Sequence, residues 1–472
     1  MKNKYQPFWF SEAIASETQL NIRQLENKIQ SDICIVGGGY TGLWTALQLK
    51  KKQPSLNIVL IEKELCGSGA SGRNGGCMIP LTTKFSTMKK IIGERDAMNM
   101  VTASESALFK IKDFCDEHNI DAQIRIDGGL YTATNKTHEG VLDNLIQNLK
   151  TSNINSLNRM PKAEIQKIAG SLKHIDGYFS PLSGSLQPGL LVRGMKKVAE
   201  KKGIIIYENT AMINLEENNK IVINTKKGSI TCNKLVIAIN AWTPRHFPFL
   251  SRSVILVSSD MIISDRIPEQ LHRIGLKDGI VVLDSCLFTH YYRTTHDGRL
   301  MFGKGGNLFS FNNKVVDAYN GPSLYEKFLK NSFKDFFPSL SKIPIIKSWN
   351  GPSERTKTGF PFFGYLKNNK NIVYGFGYSG NGILPSYVGG DILSDMILEK
   401  DNHWTKSNFC KGPLDFFPPE PFRWIGAMTI RNAVRRKEKA ENMDLEPWWI
   451  CLLYTSDAAD EGLGVDLGGR RI

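Results

Sequence analysis

Apolar residues near the amino terminus predict a strand, a helix and a second strand in close succession. Residues 31–36, SDICIV, form a short run dense in β-branched side chains that ends in glycines, which predicts a buried parallel strand. Residues 41–52 carry apolar residues at helical spacing, and residues 57–62, NIVLIE, predict a second buried strand. A strand, glycine turn, helix and strand within about 30 residues have the size of a βαβ unit.

The pattern changes after this unit. Residues 93–118 and 137–150 are predicted to be helical, and residues 123–134, which alternate in polarity around a Gly-Gly pair, predict a hairpin. The next apolar runs predict a small antiparallel set followed by one more strand: residues 203–207, 221–224 and 229–231, and then residues 234–239.

The second half of the chain contains strands joined by short turns, which predict an antiparallel sheet: residues 254–264, 279–283, 289–295 and 299–303. Residues 371–376 form another apolar strand. They lead through Gly-Tyr-Ser-Gly-Asn-Gly into an apolar helix predicted over residues 383–399.

Composition fits an ordinary soluble globular protein. The chain has 472 residues, of which 41% are hydrophobic and 22% charged, and this length suggests two or three domains. The formal charge of +14 is compatible with nucleic acid or an anionic membrane as partner. The lysines are scattered, however, and the one compact basic run is residues 431–439, so we expect no nucleic-acid partner.

Cysteine usage and the chain termini predict a reduced, cytoplasmic protein. The eight cysteines include no Cys-x-x-Cys pair, so no metal site and no redox dithiol are expected. The amino terminus lacks the apolar segment of a signal peptide, and no apolar run is long enough for a membrane span. Residues 451–472 begin with CLLYTSDAADE, which resembles a translated sequencing adapter. We expect them to be non-native, with the natural carboxyl terminus missing or replaced.

The turn after the first strand, GGGYTG at residues 37–42, matches the Gly-x-Gly-x-x-Gly fingerprint of dinucleotide-binding proteins. Gly37 permits the tight turn, Gly39 lets the backbone approach a diphosphate, and Gly42 lets the helix pack on the strand. The diphosphate then lies at the helix amino terminus, where free N–H groups favour negative charge. Glu62 ends the second strand, and its carboxylate is placed to bond ribose hydroxyls.

A second loop of small residues indicates FAD in preference to NAD. Residues 67–76 read GSGASGRNGG and follow Glu62 closely. Ser71, Arg73 and the glycine N–H groups are available beside the diphosphate, and an Arg can neutralise phosphate or contact the flavin end. A flexible linker is the alternative, which the Arg and Asn within the segment disfavour.

Together, GGGYTG, the acid at position 62, GSGASGRNGG and the late GYSGNG resemble the D-amino-acid-oxidase-like (DAO) FAD-dependent oxidoreductases. The likeness runs from about residue 5 to about residue 400. Within this family the chain is most similar to γ-glutamylputrescine oxidoreductase-type enzymes, with glycine oxidase and monomeric sarcosine oxidase as more distant relatives.

The resemblance implies an α/β fold in which a Rossmann-type FAD-binding domain is interrupted by an α+β substrate domain whose antiparallel sheet covers the flavin. The implied divisions are an amino-terminal arm (1–30), the FAD-binding domain (31–92, 160–245 and 345–400), the substrate domain (93–159 and 246–344), a carboxyl-terminal extension (401–450) and the non-native tail (451–472). The resemblance also implies hydride transfer from a substrate carbon to flavin N5. The product is an imine that hydrolyses, and electrons pass to oxygen or another acceptor.

Matching to the family also assigns residues. Residues 377–383 match a loop whose helix faces flavin N1 and the C2 carbonyl, where a helix amino terminus favours the anionic reduced ring. Asn381 stands where the family often has His, which makes it the candidate catalytic residue of this loop and puts an acid–base role there in doubt. Ala238, Asn240 and Ala241 match a strand end near the adenine, and Met212 matches the residue whose backbone holds the adenine.

No Cys occurs in residues 349–364, where some sarcosine-oxidase-like members attach flavin, so FAD is expected to be non-covalent. The motifs and the resemblance together predict these FAD-contacting residues: Gly37, Gly39, Tyr40, Thr41, Gly42, Glu62, Lys63, Ser71, Gly72, Arg73, Asn74, Gly75, Gly76, Met212, Ala238, Asn240, Gly377, Tyr378, Ser379, Gly380, Gly382 and Ile383.

Residues 289–295, THYYRTT, form the predicted strand nearest the substrate. Alternation places Tyr291 and Arg293 on one face and His290 on the other. By resemblance to glycine-oxidase-like members, Arg293 is the candidate for a bidentate pair with a substrate carboxylate. The alternative is an Arg bonded to protein carbonyls or acids within the sheet. Tyr291 is a further candidate catalytic residue, and ordinary strand packing is its alternative.

Other polar residues on this side carry weaker hypotheses. Arg355 is either a second anion-binding residue or a turn residue, and Lys304 either faces the pocket or faces solvent. His290 and His296 are expected to be satisfied strand and turn residues, respectively. Met301 stands nearest the position of the Lys that activates oxygen in the sarcosine-oxidase branch, so oxidase and dehydrogenase activity both stay open.

The favoured function is FAD-dependent oxidation of the C–N bond of an amine or amino acid. Two alternatives stay open: a flavin-dependent dehydrogenase of a hydroxy acid or polyol, and a non-catalytic flavin-binding protein that docks through residues 431–439. The substrate among amines is also open. It could be a γ-glutamylated polyamine, an N-methyl amino acid or an aminophosphonate.

Overall fold

The computed structural model describes residues 5–217 and 219–448. In chain order, the strands of this part of the chain are β1 (Lys28–Val36), β2 (Ile58–Ile61), β3 (Cys77–Met78), β4 (Gly129–Ala133), β5 (Asn158–Arg159), β6 (Asp176–Ser180), β7 (Gly184–Ser185), β8 (Ile205–Tyr207), β9 (Asn214–Glu217), β10 (Ile221–Asn224), β11 (Ser229–Ile237), β12 (Ile255–Ser264), β13 (Val281–Asp284), β14 (His290–Thr294), β15 (Leu300–Phe309), β16 (Ile345–Arg355), β17 (Phe362–Leu366) and β18 (Asn369–Phe376).

The α-helices of the same residues are, in chain order, α1 (Phe8–Ala15), α2 (Tyr40–Lys52), α3 (Phe85–Ile92), α4 (Glu94–Glu117), α5 (Asp143–Thr151), α6 (Lys162–Ala169), α7 (Pro188–Lys201), α8 (Thr243–His246), α9 (Pro268–Arg273), α10 (Glu326–Phe336), α11 (Ile383–Ile397) and α12 (Phe422–Glu441). Each described helix is too short or too polar to cross a membrane.

The first large sheet contains the predicted βαβ unit, β1–α2–β2. Its strands run in the order β17-β18-β11-β1-β2-β8, and β1 pairs in parallel with both β2 and β11. All four residues of β2 are buried, as expected for a parallel strand covered on both faces. The predicted placement of residues 203–207 in the small antiparallel set is wrong, because β8 pairs in parallel with β2. That set consists instead of β9, β10 and the first part of β11.

The second large sheet has the order β16-β12-β15-β14-β13-β4-β6-β5. The predicted antiparallel run is confirmed, since β12 pairs with β15, β15 with β14 and β14 with β13, all antiparallel. The predicted hairpin over residues 123–134 is wrong. Only β4 forms a strand there, and its partners are β6 and β13.

The Gly-Gly pair that suggested a hairpin turn serves close packing instead. Gly128 has φ +91°, and a Cβ there would lie 2.4 Å from the Phe179 ring. A Cβ on Gly129 would lie 2.8 Å from that of Ser183. The two glycines therefore let a neighbouring segment approach the backbone, a long-range requirement that a local pattern of polarity does not encode.

Two strands that the predicted divisions gave to the FAD-binding domain pair within the second sheet. These are β6 in the predicted segment 160–245 and β16 in the segment 345–400. β16 ends the second sheet, and the chain then enters β17 of the first sheet. The end of β16 is therefore carried to the junction of the two sheets, where the cavity described below lies.

Both chain ends pack on this framework. The predicted arm contains α1, whose Trp9 meets Trp349 of β16 edge-on with ring centroids 5.8 Å apart. At the other end, α12 belongs to the predicted extension 401–450. Its Val434 joins an apolar cluster with Phe309 of β15 and Phe417. These terminal helices are thus part of the core.

Candidate active site

A cavity of about 1070 Å³ is lined by residues of both large sheets. It lies at the carboxyl ends of the parallel strands of the first sheet, which is where open α/β sheets bind ligands. The predicted site residues that line it are Gly37, Gly39, Tyr40, Thr41, Glu62, Lys63, Ser71, Arg73, Asn74, Gly75, Met212, Ala238, Asn240, Tyr291, Tyr378, Ser379, Gly380, Asn381, Gly382 and Ile383. The predicted site residues outside its lining are Gly42, Gly72, Gly76, Gly377 and Arg293.

The first glycine turn has a geometry that only glycine allows. Gly37 has φ +116°, and a Cβ there would lie 2.3 Å from the Ala238 carbonyl oxygen. A Cβ on Gly42 would lie 2.0 Å from the Gly37 carbonyl oxygen, so Gly42 acts in packing, beneath the cavity wall. Gly39 is the N-cap residue of α2, and the amino terminus of this helix therefore opens on the cavity.

Glu62, directly after β2, fixes this turn. One carboxylate oxygen accepts the Gly38 N–H at 2.8 Å, and the other accepts the Glu64 N–H at 3.0 Å. Burial raises the pKa of the Glu62 carboxyl, and the two N–H donors oppose that rise. The side chain also lines the cavity beside Lys63, at the end expected to receive an adenosine ribose.

The second loop passes under the amino terminus of α2. The Ser71 hydroxyl accepts the Tyr40 N–H at 2.9 Å. Asn74 holds the loop together, since its amide nitrogen donates to the Ser71 carbonyl at 2.9 Å and its amide oxygen accepts the Gly76 N–H at 2.8 Å. The Arg73 guanidinium is buried and donates to the Ser68 carbonyl at 2.7 Å, in addition to lining the cavity.

Two glycines of this loop act through packing. A Cβ on Gly72 would lie 2.6 Å from the Gly67 carbonyl oxygen, and one on Gly76 would lie 2.1 Å from the Leu186 carbonyl oxygen. Both residues lie outside the cavity lining.

The late loop places a second helix terminus on the cavity. Gly377 has φ +86° and Gly380 has φ +83°, so the chain turns sharply before α11 begins at Ile383. The Thr41 hydroxyl donates to the Tyr378 hydroxyl at 2.9 Å, which ties this loop to the first glycine turn. The Asn381 amide donates to the Pro80 carbonyl at 3.4 Å.

The cavity has the features that a flavin dinucleotide requires. Two helix amino termini, of α2 and α11, open on one space and favour anionic groups there. In the described chain, Asn240 Oδ1 and Ser353 Oγ are buried without a hydrogen-bond partner, and both residues line the cavity. A diphosphate, a hydroxylated ribityl chain and an adenosine would satisfy these groups. The residues present therefore fit FAD.

Comparison with known proteins agrees with this fit. The profile of the family described as FAD dependent oxidoreductase (DAO) matches residues 32–396. The chain belongs to this family. The predicted fold class and the FAD cofactor are thereby confirmed.

Among curated DAO relatives, gamma-glutamylputrescine oxidoreductase of Escherichia coli K12 is 27% identical over 400 residues, which cover 84% of this chain and 87% of the relative. Glycine oxidase of Geobacillus kaustophilus is 22% identical over 393 residues, covering 80% and 96%. The crystal structure of a glycine oxidase from the same species superposes with a TM-score of 0.67 at 19% identity, covering 81% of this chain and 98% of that one. The structural likeness supports the fold.

On the second sheet, the structure separates the two main substrate-side candidates. Tyr291 lines the cavity, and its hydroxyl lies 2.7 Å from the Ser259 hydroxyl. Gly303 leaves room for this ring, because a Cβ there would lie 2.4 Å from Tyr291 Cζ. Burial raises the pKa of the Tyr291 phenol, so it stays protonated at neutral pH.

Arg293 is buried behind the second loop. Its Nε donates to the Gly75 carbonyl at 2.6 Å, its Nη2 to the Leu186 carbonyl at 2.7 Å and its Nη1 to the Thr294 carbonyl at 3.0 Å. The guanidinium also lies over the Trp9 ring, 4.7 Å from its centroid, and burial lowers its pKa to about 10. Of the two predicted alternatives, the structure shows the Arg bonded to protein carbonyls.

Arg355 is the guanidinium that lines the cavity from the substrate side. It is the last residue of β16, not a turn residue, and its Nη1 donates to the Ser379 carbonyl of the late loop. A Cβ added at Gly305 would lie 3.4 Å from Arg355 Nη2, and one added at Gly380 would lie 2.8 Å from it. The side chain thus reaches from the second sheet to the loop that precedes α11.

Two of the remaining candidates, His290 and Lys304, are buried beside the cavity. His290 Nδ1 lies 2.6 Å from an Asp284 carboxylate oxygen, whereas its Nε2 is buried without a hydrogen-bond partner, so the expected satisfaction holds for one ring nitrogen only. Lys304 faces neither cavity nor solvent: its ammonium group donates to the Phe288 carbonyl and lies 3.4 Å from a Glu438 carboxylate oxygen of α12. His296 lies in the exposed turn between β14 and β15.

Asp284 lines the cavity and was not predicted. Burial opposes its ionisation, but the hydrogen bond and charge of His290 and the charge of Lys304 outweigh burial and bring its pKa to about 2. Cys286 lies within reach of the same groups, and thiol, imidazole and carboxylate are metal-ligand types. Here the His290 ring and the backbone N–H groups of Cys286 and His290 already satisfy the carboxylate.

Sequence reasoning also missed Ser353 and Glu354, which line the cavity from the end of β16. The polar residues that close the strand, SER at positions 353–355, were the available signal. Their importance depends on β16 reaching across to the first sheet, and the local pattern does not predict that crossing.

Proposed function

We propose that the protein uses non-covalently bound FAD to oxidise the C–N bond of an amine or amino acid. The observation that carries the proposal is one cavity in which the glycine turn and the amino terminus of α11 face Tyr291 and Arg355 of the second sheet. Support comes from relatives named for such substrates, including gamma-glutamylputrescine oxidoreductase and glycine oxidase.

In this proposal the two loops and both helix termini hold the cofactor. When bound, FAD supplies hydride acceptance from the substrate carbon. The amino terminus of α11 would stabilise negative charge on the reduced ring by roughly 1 kcal/mol, or about 2 kcal/mol when buried. Hydride transfer from a neutral amine needs no strong base, so an Asn at position 381 is compatible with the reaction.

The substrate-side roles are reassigned in part. We propose that Arg355, not Arg293, orients an anionic group of the substrate, because Arg355 lines the cavity and Arg293 is bonded behind the second loop. The Tyr291–Ser259 hydroxyl pair provides a neutral donor for the substrate beside it.

Anaerobic reduction of the flavin tests this proposal. The holoenzyme is mixed without oxygen with a panel of amines, amino acids, hydroxy acids and polyols, and bleaching of the flavin band is followed. Bleaching by an amine, with release of ammonia or a smaller amine, supports C–N oxidation. Bleaching by hydroxy acids or polyols alone indicates the second candidate function, and a flavin that none of them reduces indicates a non-catalytic binding protein.

Two matched variants locate the anion-binding Arg. We expect Arg355→Lys to raise the Kd of a carboxylate-bearing substrate at least tenfold, because a single ammonium cannot replace the planar fork. Arg293→Lys should change that Kd less than twofold while lowering thermal stability. The opposite result would return the role to Arg293.

Reoxidation of the reduced protein by oxygen or by a dye then identifies the class of electron acceptor.

We propose a cytoplasmic location and a small-molecule partner, not nucleic acid. In the described residues seven cysteines are free, which is the usual state in a reducing compartment. Part of the basic run is also used internally, since Arg431 donates to the Asn307 carbonyl at 3.1 Å and Arg435 to the Asn307 side chain at 3.2 Å.

A further inference from the structure

Glu354 lies where the second sheet touches the strand ends of the first. It is the next-to-last residue of β16 and only 2% exposed. One carboxyl oxygen accepts the Tyr378 N–H at 3.0 Å, directly after β18, and Asn240, just beyond β11, is a second hydrogen-bond partner. Since β11 and β18 are neighbours, the carboxyl spans the carboxyl ends of both strands and lines the cavity there.

The charged and titratable groups near this carboxyl do not neutralise it. Arg355 is adjacent on the same strand, but its guanidinium is directed to the Ser379 carbonyl. The Tyr378 phenol, from the late loop, accepts a hydrogen bond from the Thr41 hydroxyl, and Asn240 is uncharged. In the described chain, no Lys, Arg or His forms an ion pair with Glu354. Burial therefore dominates and raises the pKa of the Glu354 carboxyl to about 7, with the N–H donors and Arg355 opposing the rise.

Two buried carboxyls can be compared at this edge of the cavity, those of Glu62 and Glu354. Glu62 accepts a backbone N–H on each of its oxygens. Glu354 accepts the Tyr378 N–H and its own backbone N–H, and it lines the cavity beside Asn240 Oδ1 and Ser353 Oγ, which are buried without partners. A hydrogen-bonding ligand at this place would satisfy all three groups, and a protonated carboxyl can donate to an acceptor there.

We propose that Glu354 binds FAD as a neutral carboxyl, donating a hydrogen bond to an oxygen of the ribityl–diphosphate segment, and that its ionisation weakens cofactor binding. A carboxylate in this enclosed position would repel the diphosphate and lose its donor. The structure thus assigns Glu354 a role in holding the cofactor that requires its proton. This role does not depend on which substrate the enzyme oxidises.

The test is the pH dependence of FAD dissociation. Holoenzyme is diluted between pH 5.5 and 8.5, and the Kd is obtained from the fluorescence of released FAD. For the wild-type protein we expect a constant Kd in the acid range and a rise of about tenfold or more by pH 8.5, because linkage allows up to tenfold per pH unit above the titration point. Glu354→Gln keeps an uncharged donor and should give a Kd that varies less than about threefold over the range.

Glu441→Gln is the matched control. Glu441 is another buried acid whose pKa is raised mainly by burial, but it is outside the cavity lining, so its replacement should leave the wild-type pH profile unchanged. The proposal is overturned if Glu354→Gln shows the wild-type rise, or if the wild-type Kd is flat across the range. Failure to bind any FAD would instead contradict the cofactor assignment itself.

A second measurement tests the proposal if the Glu354→Gln protein does not fold. The infrared spectrum of wild-type holoenzyme at pH 6 should contain a protonated-carboxyl band that disappears, with FAD release, as the pH is raised to 8.5. A band that persists after the FAD has dissociated, or one that is absent at pH 6, contradicts the proposal.

Discussion

At the scale of single residues, the sequence around Arg293 is compatible with two different roles for this side chain. A strand Arg facing the flavin side is compatible with substrate binding and with internal hydrogen bonding. The difference lies in the carbonyls of Gly75 and Leu186, which come from loops distant in sequence. Their approach could not be predicted from the strand, whereas the alternation that placed Tyr291 and Arg293 on one face could.

We expect Arg293→Met to lower the free energy of unfolding by about 3 kcal/mol, because buried carbonyls of Gly75 and Leu186 lose their donor. Urea denaturation followed by circular dichroism measures the change. Arg436→Met, at an exposed position of α12, is the control and should change stability by less than about 0.5 kcal/mol. A fully stable Arg293→Met protein would contradict the structural role.

The first glycine turn was predictable because its requirement is local. We expect Gly37→Ala to reduce FAD content strongly and to destabilise the protein by about 1–3 kcal/mol, since the added Cβ would collide with the Ala238 carbonyl at 2.3 Å. Flavin absorbance per protein and thermal unfolding measure both effects. Gly426→Ala in α12 has open space around its Cβ, so it should retain flavin and gain up to about 1 kcal/mol.

At the scale of elements, local units were predicted and long-range pairings were not. In the unit β1–α2–β2, the apolar pattern, the glycine turn and the two pairing strands all lie within one short stretch of chain. By contrast, β8 pairs with β2 although helices α3 to α7 and strands β3 to β7 lie between them in the chain, and the partners of β4 are β6 and β13. A short apolar run does not indicate which distant strand it will pair with. For this reason the hairpin prediction for residues 123–134 was wrong.

The contact between α12 and β15 gives a prediction at this scale. Glu438 pairs with Lys304 at 3.4 Å and accepts the Phe288 N–H at 3.2 Å. Glu438→Gln keeps the acceptor but leaves the buried ammonium unpaired, so we expect a loss of about 3 kcal/mol in the free energy of unfolding. Lys439→Gln, exposed on the next position of the helix, should be neutral in the same denaturation experiment. Equal stability of the two variants would count against the pair.

At the scale of the whole molecule, the stability should depend on pH through Glu354. Its pKa is about 7 in the folded protein against an ordinary 4.5, so between these values the folded state holds a proton that the unfolded chain has released. Stability from this group is therefore complete below about pH 4.5 and falls as the pH rises to 7, by about 3 kcal/mol for the whole shift.

The difference in unfolding free energy between the wild type and Glu354→Gln, measured by urea denaturation from pH 5 to 8, isolates this effect. We expect the variant to become relatively more stable as the pH rises. A difference that is constant with pH would show that the carboxyl titrates normally.

The carboxyl-terminal extension lies beyond the family match, which ends at residue 396, yet it packs against the second sheet. We expect a chain ending at Lys400 to lose stability by several kcal/mol, because Phe309 and Val257 would lose the apolar cover of Phe417 and Val434. A chain ending at Trp448 is the control. Soluble expression and thermal unfolding compare the two, and equal melting temperatures would contradict a structural role for α12.

The packing of Trp9 has a consequence for biosynthesis. The indole packs edge-on against Trp349, and the Gln187 amide donates to the Trp9 backbone carbonyl at 2.9 Å. A nascent polypeptide leaves the ribosome with its first helix long before residue 349 has been synthesised. The aromatic side chains of α1 therefore remain exposed until Trp349 has been synthesised. During that interval a chaperone that binds short apolar segments has a clear target in α1.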